Sequence, residues 1–158
     1  MTRLIIGLAG MAVVSSPVTA QEAVRDDIMQ VIAAMFEGLA QRDTARMGAT
    51  LEPGARLVQT TTNPDGIPQV TVVDMPDFLA AVGRTDGPKI EERYWNPQVV
   101  VHDNLATVWI SYVFLVEGQI SHCGEDTFQL ARATDGWKII ALADTQRRQG
   151  CEDRSGSP

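Results

Sequence analysis

Residues 118–145 decide the fold, and they read GQISHCGEDTFQLARATDGWKIIALADT. Two long runs rich in apolar and β-branched residues, at 120–133 and 137–145, flank the turn Thr134-Asp135-Gly136. Runs of this kind on either side of an Asp-Gly turn predict two long antiparallel strands joined as a hairpin.

The first of these two strands carries polar residues among its apolar ones. Alternate residues of a strand share a face. His122 and Asp126 therefore share a face with the apolar residues Phe128 and Leu130, and that face should be turned toward the core. Cys123, one residue out of phase, should then point outward.

The rest of the chain supplies helices first and further strands afterwards. Apolar residues recur at helical spacing over residues 23–40, and Asn, Asp and Gly turns separate runs of β-branched residues later in the chain. The predicted helices are residues 23–40, 44–49 and 78–82, and the further predicted strands are residues 56–62, 69–73, 90–101 and 106–116. The predicted fold is α+β: a cone-shaped, curved antiparallel sheet with a long N-terminal helix and two short helices packed over its concave face.

The first twenty residues have the pattern of a signal peptide. Arg3 precedes an apolar run at residues 4–14, and the small residues before Ala20 are typical of a peptidase site. We expect cleavage between Ala20 and Gln21 and export to the periplasm or the extracellular space. The apolar run is too short for an uncleaved spanning helix, which needs roughly 20 residues.

The remaining 138 of the 158 residues suffice for one domain, predicted at residues 21–151 and followed by a disordered tail at 152–158. The formal charge is −7, and loss of Arg3 with the signal peptide makes it −8. An acidic surface repels phosphate backbones, which argues against nucleic acid as a partner. No later segment is long and apolar enough to anchor the mature chain in a membrane.

Cys123 and Cys151 are the two cysteines of the chain. In an oxidising compartment a pair of cysteines predicts a disulfide bond. Two free thiols or half of a metal site are the alternatives. Without a CxxC motif, and with two histidines in all, the sequence makes a poor zinc site, and no metal is predicted.

The element order, together with NLATVWISYVF at residues 104–114 and the stretch at 118–145, resembles the nuclear transport factor 2-like superfamily. Within it the chain is similar to the small bacterial proteins grouped as SnoaL-like or lumazine-binding-like. The resemblance implies a cone-shaped α+β fold with a pocket, and a homodimer formed through the convex sheet face. An exposed face carrying Trp109, Val113 and Leu115 would suit such a contact. Because the superfamily hosts isomerases, dehydratases and binding modules, it does not by itself imply a reaction.

Four residues are candidates for contact with a ligand in the cone. His122 and Asp126 are also candidates for catalysis, because a histidine or a buried carboxyl group can exchange protons near neutral pH. Tyr112 shares a face with apolar neighbours, which should place its hydroxyl toward the cavity. Asp144 falls close to Asp126 across the hairpin, but the turn geometry decides its face.

The sequence therefore favours an exported protein that binds a small, mostly apolar molecule. The alternative is a SnoaL-like cyclase, isomerase or dehydratase that uses His122 and Asp126 for proton transfer, and a third possibility is an interaction module whose cone is filled by side chains. The sequence has no phosphate-binding or dinucleotide-binding glycine motif, and no cofactor is predicted.

Overall fold

The computed structural model describes residues 19–156. The predicted signal peptide lies outside the described residues except for Thr19 and Ala20, and the last two residues of the predicted tail lie outside them as well. The helices are α1 (Ala20–Gln41), α2 (Thr44–Ala49) and α3 (Met75–Val82), and the strands are β1 (Leu51–Thr62), β2 (Pro68–Val73), β3 (Ile90–His102), β4 (Leu105–Val116), β5 (Gln119–Ala133) and β6 (Gly136–Gln146). Within this range no helix is long and apolar enough to cross a membrane.

The six strands form one sheet in the order β2-β1-β6-β5-β4-β3. The predicted hairpins β3–β4, β4–β5 and β5–β6 are present and antiparallel. One pairing differs from the expected antiparallel sheet, because β1 runs parallel to β6. The predicted α+β fold is confirmed.

Helix α1 packs one apolar face on the sheet. Its large buried apolar residues are spaced by four, three, one and three positions, which aligns them on a single stripe. They are Ile28, Ile32, Met35, Phe36 and Leu39. Thr19 and Glu22 form a capping box at its start, and Arg42 ends it in the left-handed conformation with φ 57°. The predicted cleavage after Ala20 would remove this cap.

Strand β3 contains a bulge at Asn96 and Pro97. Trp95 pairs with Ser111 but Gln98 pairs with Trp109, so one extra residue lies on β3 between these pairs. Asn96 has φ 55°, in the left-handed region that asparagine tolerates better than most residues. Because of the extra residue, the alternation of side chains between the two faces of β3 changes phase at the bulge. Even-numbered residues face the cavity side before it, and odd-numbered residues do so after it.

The regular pairing of β5 with β6 is interrupted beside Gly124. Asp126 pairs with Asp144, and Cys123 bridges to Arg147, but the two residues between them on each strand are unpaired. Here the carbonyl oxygen of Thr145 would lie 1.7 Å from a Cβ atom at Gly124. Only glycine permits this approach.

The predicted disulfide between Cys123 and Cys151 is present, with 5.6 Å between the Cα atoms. It holds the C-terminal segment against the convex face of the sheet, where Val113 and Leu115 are 0% and 4% exposed and form a small second core with Cys123. The expectation that Val113 and Leu115 belong to an exposed apolar face is wrong, because the chain's own C-terminal segment covers them. Trp109, which is 47% exposed, remains on the surface.

Substitution of Gly124 by alanine is expected to lower the free energy of unfolding by more than about 3 kcal/mol, because the methyl group would overlap backbone atoms that cannot rotate away. Chemical denaturation measures the loss. Gly48→Ala is the matched control: a Cβ at Gly48 meets nothing within 4 Å, and alanine in helix α2 should stabilise by up to about 1 kcal/mol. Equal stability of the two variants would contradict the close approach.

Candidate functional site

A cavity of about 190 Å³ lies between the helices and the concave face of the sheet. Its walls are mostly apolar, and its polar groups come from the strands. The apolar and aromatic lining residues are Met35, Phe36, Leu39, Met47, Leu57, Phe78, Tyr112, Phe114, Phe128 and Leu142, and the polar ones are Gln59, Glu92, His122, Asp126, Asp144 and Gln146. The side chains therefore do not fill the cone, in contrast to the interaction module considered as a third possibility.

Two carboxyl groups meet at the cavity wall. Asp126 of β5 is 4% exposed, and the partly buried side chain of Glu92 on β3 lines the same cavity. Burial, followed by the proximity of Glu92, raises the pKa of Asp126 well above its usual range. Burial raises the pKa of Glu92 to about 7. The pair therefore retains a proton under conditions in which exposed carboxyl groups have lost theirs.

Asp144 adds a third carboxyl group beside this pair. It lies directly opposite Asp126 in the β5–β6 ladder, and the register turns both side chains toward the cavity. Its Oδ2 accepts a hydrogen bond of 2.9 Å from Gln146, while its buried Oδ1 has no hydrogen-bond partner among the described residues. Burial raises the pKa of Asp144, although amide groups nearby, including that of Gln146, oppose the shift. A buried acceptor without a partner is unusual and indicates a place where a donor can bind.

His122 occupies the same wall, nearer the strand end. Its ring stacks on Phe114 with 4.8 Å between ring centroids and meets Tyr112 edge-on at 5.9 Å. Burial, and to a smaller extent the positive charge of Arg148, lowers the pKa of His122. The imidazole is therefore neutral at physiological pH. Among the described residues its one side-chain partner is Ser121, at 3.3 Å.

Tyr112 lines the cavity with its ring, but its hydroxyl is engaged elsewhere. The hydroxyl donates a 2.9 Å hydrogen bond to the carbonyl oxygen of Thr145, at the point where β6 leaves Gly124. Burial, and then the nearby negative charges led by Asp126, raises the pKa of Tyr112. The phenol is therefore neutral and holds the Thr145 carbonyl group in place. The expectation that its hydroxyl points into the cavity is not met.

The cavity brings together all four residues that the sequence proposed for ligand contact: Tyr112, His122, Asp126 and Asp144. Sequence reasoning missed Glu92. The bulge at Asn96 and Pro97 is the reason, because counting alternate residues back from the end of β3 assigns Glu92 to the outer face. The Asn-Pro dipeptide was the available signal, since such pairs interrupt regular strands.

The site is a mostly apolar pocket with three acidic side chains in its lining. Across residues 19–156, no group of three or more His, Cys, Asp and Glu side chains is arranged to hold a metal ion. The carboxyl groups can accept hydrogen bonds from a ligand and can exchange a proton near neutral pH. The surrounding rings provide an apolar surface of the kind that holds small flat molecules.

The chain belongs to the family described as "Putative lumazine-binding", whose model matches residues 23–143. This match confirms the lumazine-binding-like part of the resemblance, and solved structures described as nuclear transport factor 2-like proteins share the fold. No curated protein sequence is significantly similar to the chain.

Solved structures support the same fold at low sequence identity. A nuclear transport factor 2-like protein of unknown function from Shewanella baltica OS155 is 13% identical with a TM-score of 0.61, covering 84% of this chain and 100% of that one. A "putative dehydratase" of the same fold family from Streptomyces avermitilis is 17% identical with a TM-score of 0.61, covering 82% and 99%. The β subunit of a "putative aromatic-ring-hydroxylating dioxygenase" from Novosphingobium aromaticivorans DSM 12444 is 12% identical with a TM-score of 0.67, covering 85% and 95%.

The pKa of Glu92 predicts how stability depends on pH. The unfolded chain loses this proton near pH 4.5 and the folded chain near about 7. The folded state therefore binds more protons between these values, and its stability falls as pH rises through them, by on the order of 3 kcal/mol. Glu92→Gln should remove most of this loss when unfolding is measured by denaturant at several pH values.

Glu91→Gln is the matched control for this prediction, because Glu91 pairs with Arg93 and its pKa is lowered instead of raised. His122 is present in all three proteins and acts in the opposite direction, since its lowered pKa costs stability as pH falls below about 6.5. Its contribution cancels when each variant is compared with the wild type. Parallel pH curves for the wild type and Glu92→Gln would show that Glu92 is not protonated in the folded state.

Proposed function

We propose that this chain is an exported binding protein that holds a small, flat, mostly apolar molecule in its cone. The observation that carries the proposal is the cavity lined by rings with Asp144 Oδ1 unpaired at its wall. A ligand with an apolar body and at least one hydrogen-bond donor would satisfy both features. The volume of about 190 Å³ suits a molecule of one or two rings.

The family description is consistent with this size and shape. Lumazine is a flat two-ring heterocycle whose ring N–H groups are donors, and such donors match the acceptors of Asp126 and Asp144. The disulfide between Cys123 and Cys151 supports export, because structural disulfides persist in oxidising compartments. Homodimer formation remains a proposal, with Trp109 as the exposed aromatic residue on the convex face.

Indole and lumazine, two neutral flat probes with N–H donors, are expected to bind saturably and to shift the NMR signals of Phe128 and Leu142. Phe78→Ala should weaken binding by about tenfold, because it removes a partly buried ring from the cavity wall. Val70→Ala is the control, since Val70 is 71% exposed on β2 and lies outside the cavity. The proposal fails if neither probe binds and native mass spectrometry of the purified protein finds no bound molecule.

The same native mass spectrum tests export. After expression with the full leader, the secreted chain should begin at Gln21 and should gain the mass of two hydrogen atoms on reduction, as expected for one disulfide. A chain that retains residues 1–20 in the cytoplasm would contradict this part of the proposal. Binding of the probes does not depend on that outcome.

A second candidate function is proton-transfer catalysis, which is favoured by the presence of Glu92, His122 and Asp126 in one cavity, where burial raises the pKa of Glu92 to about 7. An enzyme that moves a proton to or from carbon should exchange a C–H hydrogen of the bound molecule with solvent deuterium. His122→Ala and Asp126→Asn should abolish that exchange while each variant still melts cooperatively. A bound molecule that shows no deuterium uptake would leave binding as the function.

A further inference from the structure

The ionisable groups of the cavity are mostly acidic, and within residues 19–156 no fixed positive charge in the lining balances them. Glu92, Asp126 and Asp144 are acidic, and among the described residues no lysine or arginine lines the cavity. The lining residues of the helices α1, α2 and α3 are apolar or aromatic. Arg147 and Arg148 follow β6 outside the lining, and their positive charges act on Tyr112 and His122 respectively.

His122 does not balance these acids. Its pKa is lowered by burial, and the ring lies flat on Phe114, with its Nδ1 beside Ser121. The imidazole is therefore neutral where the acids would need a positive partner. Three carboxyl groups in an apolar cavity without a fixed cation can stay uncharged by keeping protons, or they can ionise against a cation supplied from outside.

Aromatic rings line the same cavity as the carboxyl groups. Phe36 and Phe128 meet edge-on with 6.0 Å between their centroids, and Phe114 carries the stacked His122. Phe78 and Tyr112 complete the aromatic part of the wall. Ring faces attract organic cations, and the attraction is largest where water is excluded. Rings together with carboxylates form the chemical environment that recognises an ammonium group with an apolar substituent.

A bare metal ion does not fit this arrangement. Within residues 19–156 the acidic side chains are not placed as a metal-ligand group, and most of the wall consists of carbon atoms. A metal ion keeps a strongly held water shell that such a wall cannot replace. An organic ammonium ion is less strongly hydrated and brings its own apolar surface.

On the basis of the proposed function, we propose that the ligand of the cone is a small organic cation, an amine protonated at neutral pH. Its ammonium group lies against Asp144 and the Glu92–Asp126 pair, with N–H donated to Asp144 Oδ1, and its apolar body lies against the phenylalanine rings. No covalent bond forms or breaks. The ammonium replaces a proton held by the empty carboxyl cluster, and that proton leaves to solvent.

Two consequences distinguish a cationic ligand from a neutral one. Binding should strengthen as pH rises, because the empty site must lose a proton to accept the cation. Among the other groups that face the cluster, Tyr112 has a raised pKa and stays neutral throughout. Burial lowers the pKa of His122, so the imidazole stays neutral in the upper part of the range, where the carboxyl cluster loses its proton. Binding should also release protons, so the heat of binding should depend on the ionisation enthalpy of the buffer.

The test compares benzylamine with benzyl alcohol, which has nearly the same shape and no charge. Calorimetry at about pH 8 should give an affinity at least about tenfold higher for benzylamine, with a smaller ratio at about pH 5.5. Titration of benzylamine in two buffers of different ionisation enthalpy should show net proton release. Asp144→Asn should bring the two affinities to within about threefold of each other.

Glu125→Gln is the matched control. Glu125 is the neighbour of Asp126 on β5 but points to the convex face, where Trp109 donates a 2.9 Å hydrogen bond to it. This variant should keep the preference for benzylamine. Circular dichroism establishes that both variants are folded, and if Asp144→Asn is not, the pH dependence of the wild-type preference decides the question.

Each outcome separates this inference from the function on which it rests. If benzyl alcohol, indole or lumazine binds as tightly as benzylamine, the inference of a cation is overturned while small-molecule binding stands. If benzylamine does not bind at all, the inference is overturned as well. If, in addition, no neutral probe binds and no molecule co-purifies, the proposed function fails with it.

Discussion

The arrangement of this molecule depends on the approach of the Thr145 carbonyl group to Gly124. A side chain at residue 124 would prevent this approach. The Tyr112 hydroxyl stabilises it by donating a 2.9 Å hydrogen bond to the same carbonyl oxygen. The approach interrupts the regular pairing of β5 with β6 between two paired positions. On one side of the gap, Asp126 faces Asp144 in the cavity. On the other, Cys123 is placed to bond with Cys151.

The two faces of β5 therefore contribute to different parts of the structure. Its concave face presents Asp126 and His122 to the cavity, and its convex face carries Cys123 and Glu125. The disulfide holds the C-terminal segment over Val113 and Leu115, which would otherwise expose apolar surface. A small domain gains both a closed outer face and an open inner cavity from one strand, because successive side chains point to opposite sides.

The acidic cluster is costly to the fold in its ionised form. Three carboxyl groups are close to one another in an apolar setting, and burial raises the pKa of each. Better-packed apolar residues at these positions would favour stability. Groups that oppose stability and share a cavity point to a role in binding or proton exchange, which is the basis of the proposals made for this chain.

Much of the fold follows from the local pattern. The helical spacing in α1, the hairpin turns and the strand alternation depend on neighbouring residues, so the α+β class and the lengths of most elements can be predicted from sequence. The disulfide also follows from the pair of cysteines, once the sequence is interpreted as that of an exported chain. The inward placement of His122 and Asp126 needed only the phase set by Phe128 and Leu130.

Other features required the assembled structure. Hairpin register decided that Asp144 faces Asp126, the bulge at Asn96 and Pro97 turned Glu92 inward, and the C-terminal segment covered the convex face. These features depend on contacts between residues far apart in the sequence, which the local pattern does not specify. A shift of one residue in the pairing of a strand also turns each of its side chains to the opposite face. The sequence alone therefore determined the helices and strands and the inward placement of Asp126. Only the tertiary structure decided that Glu92 and Asp144 line the cavity together with Asp126.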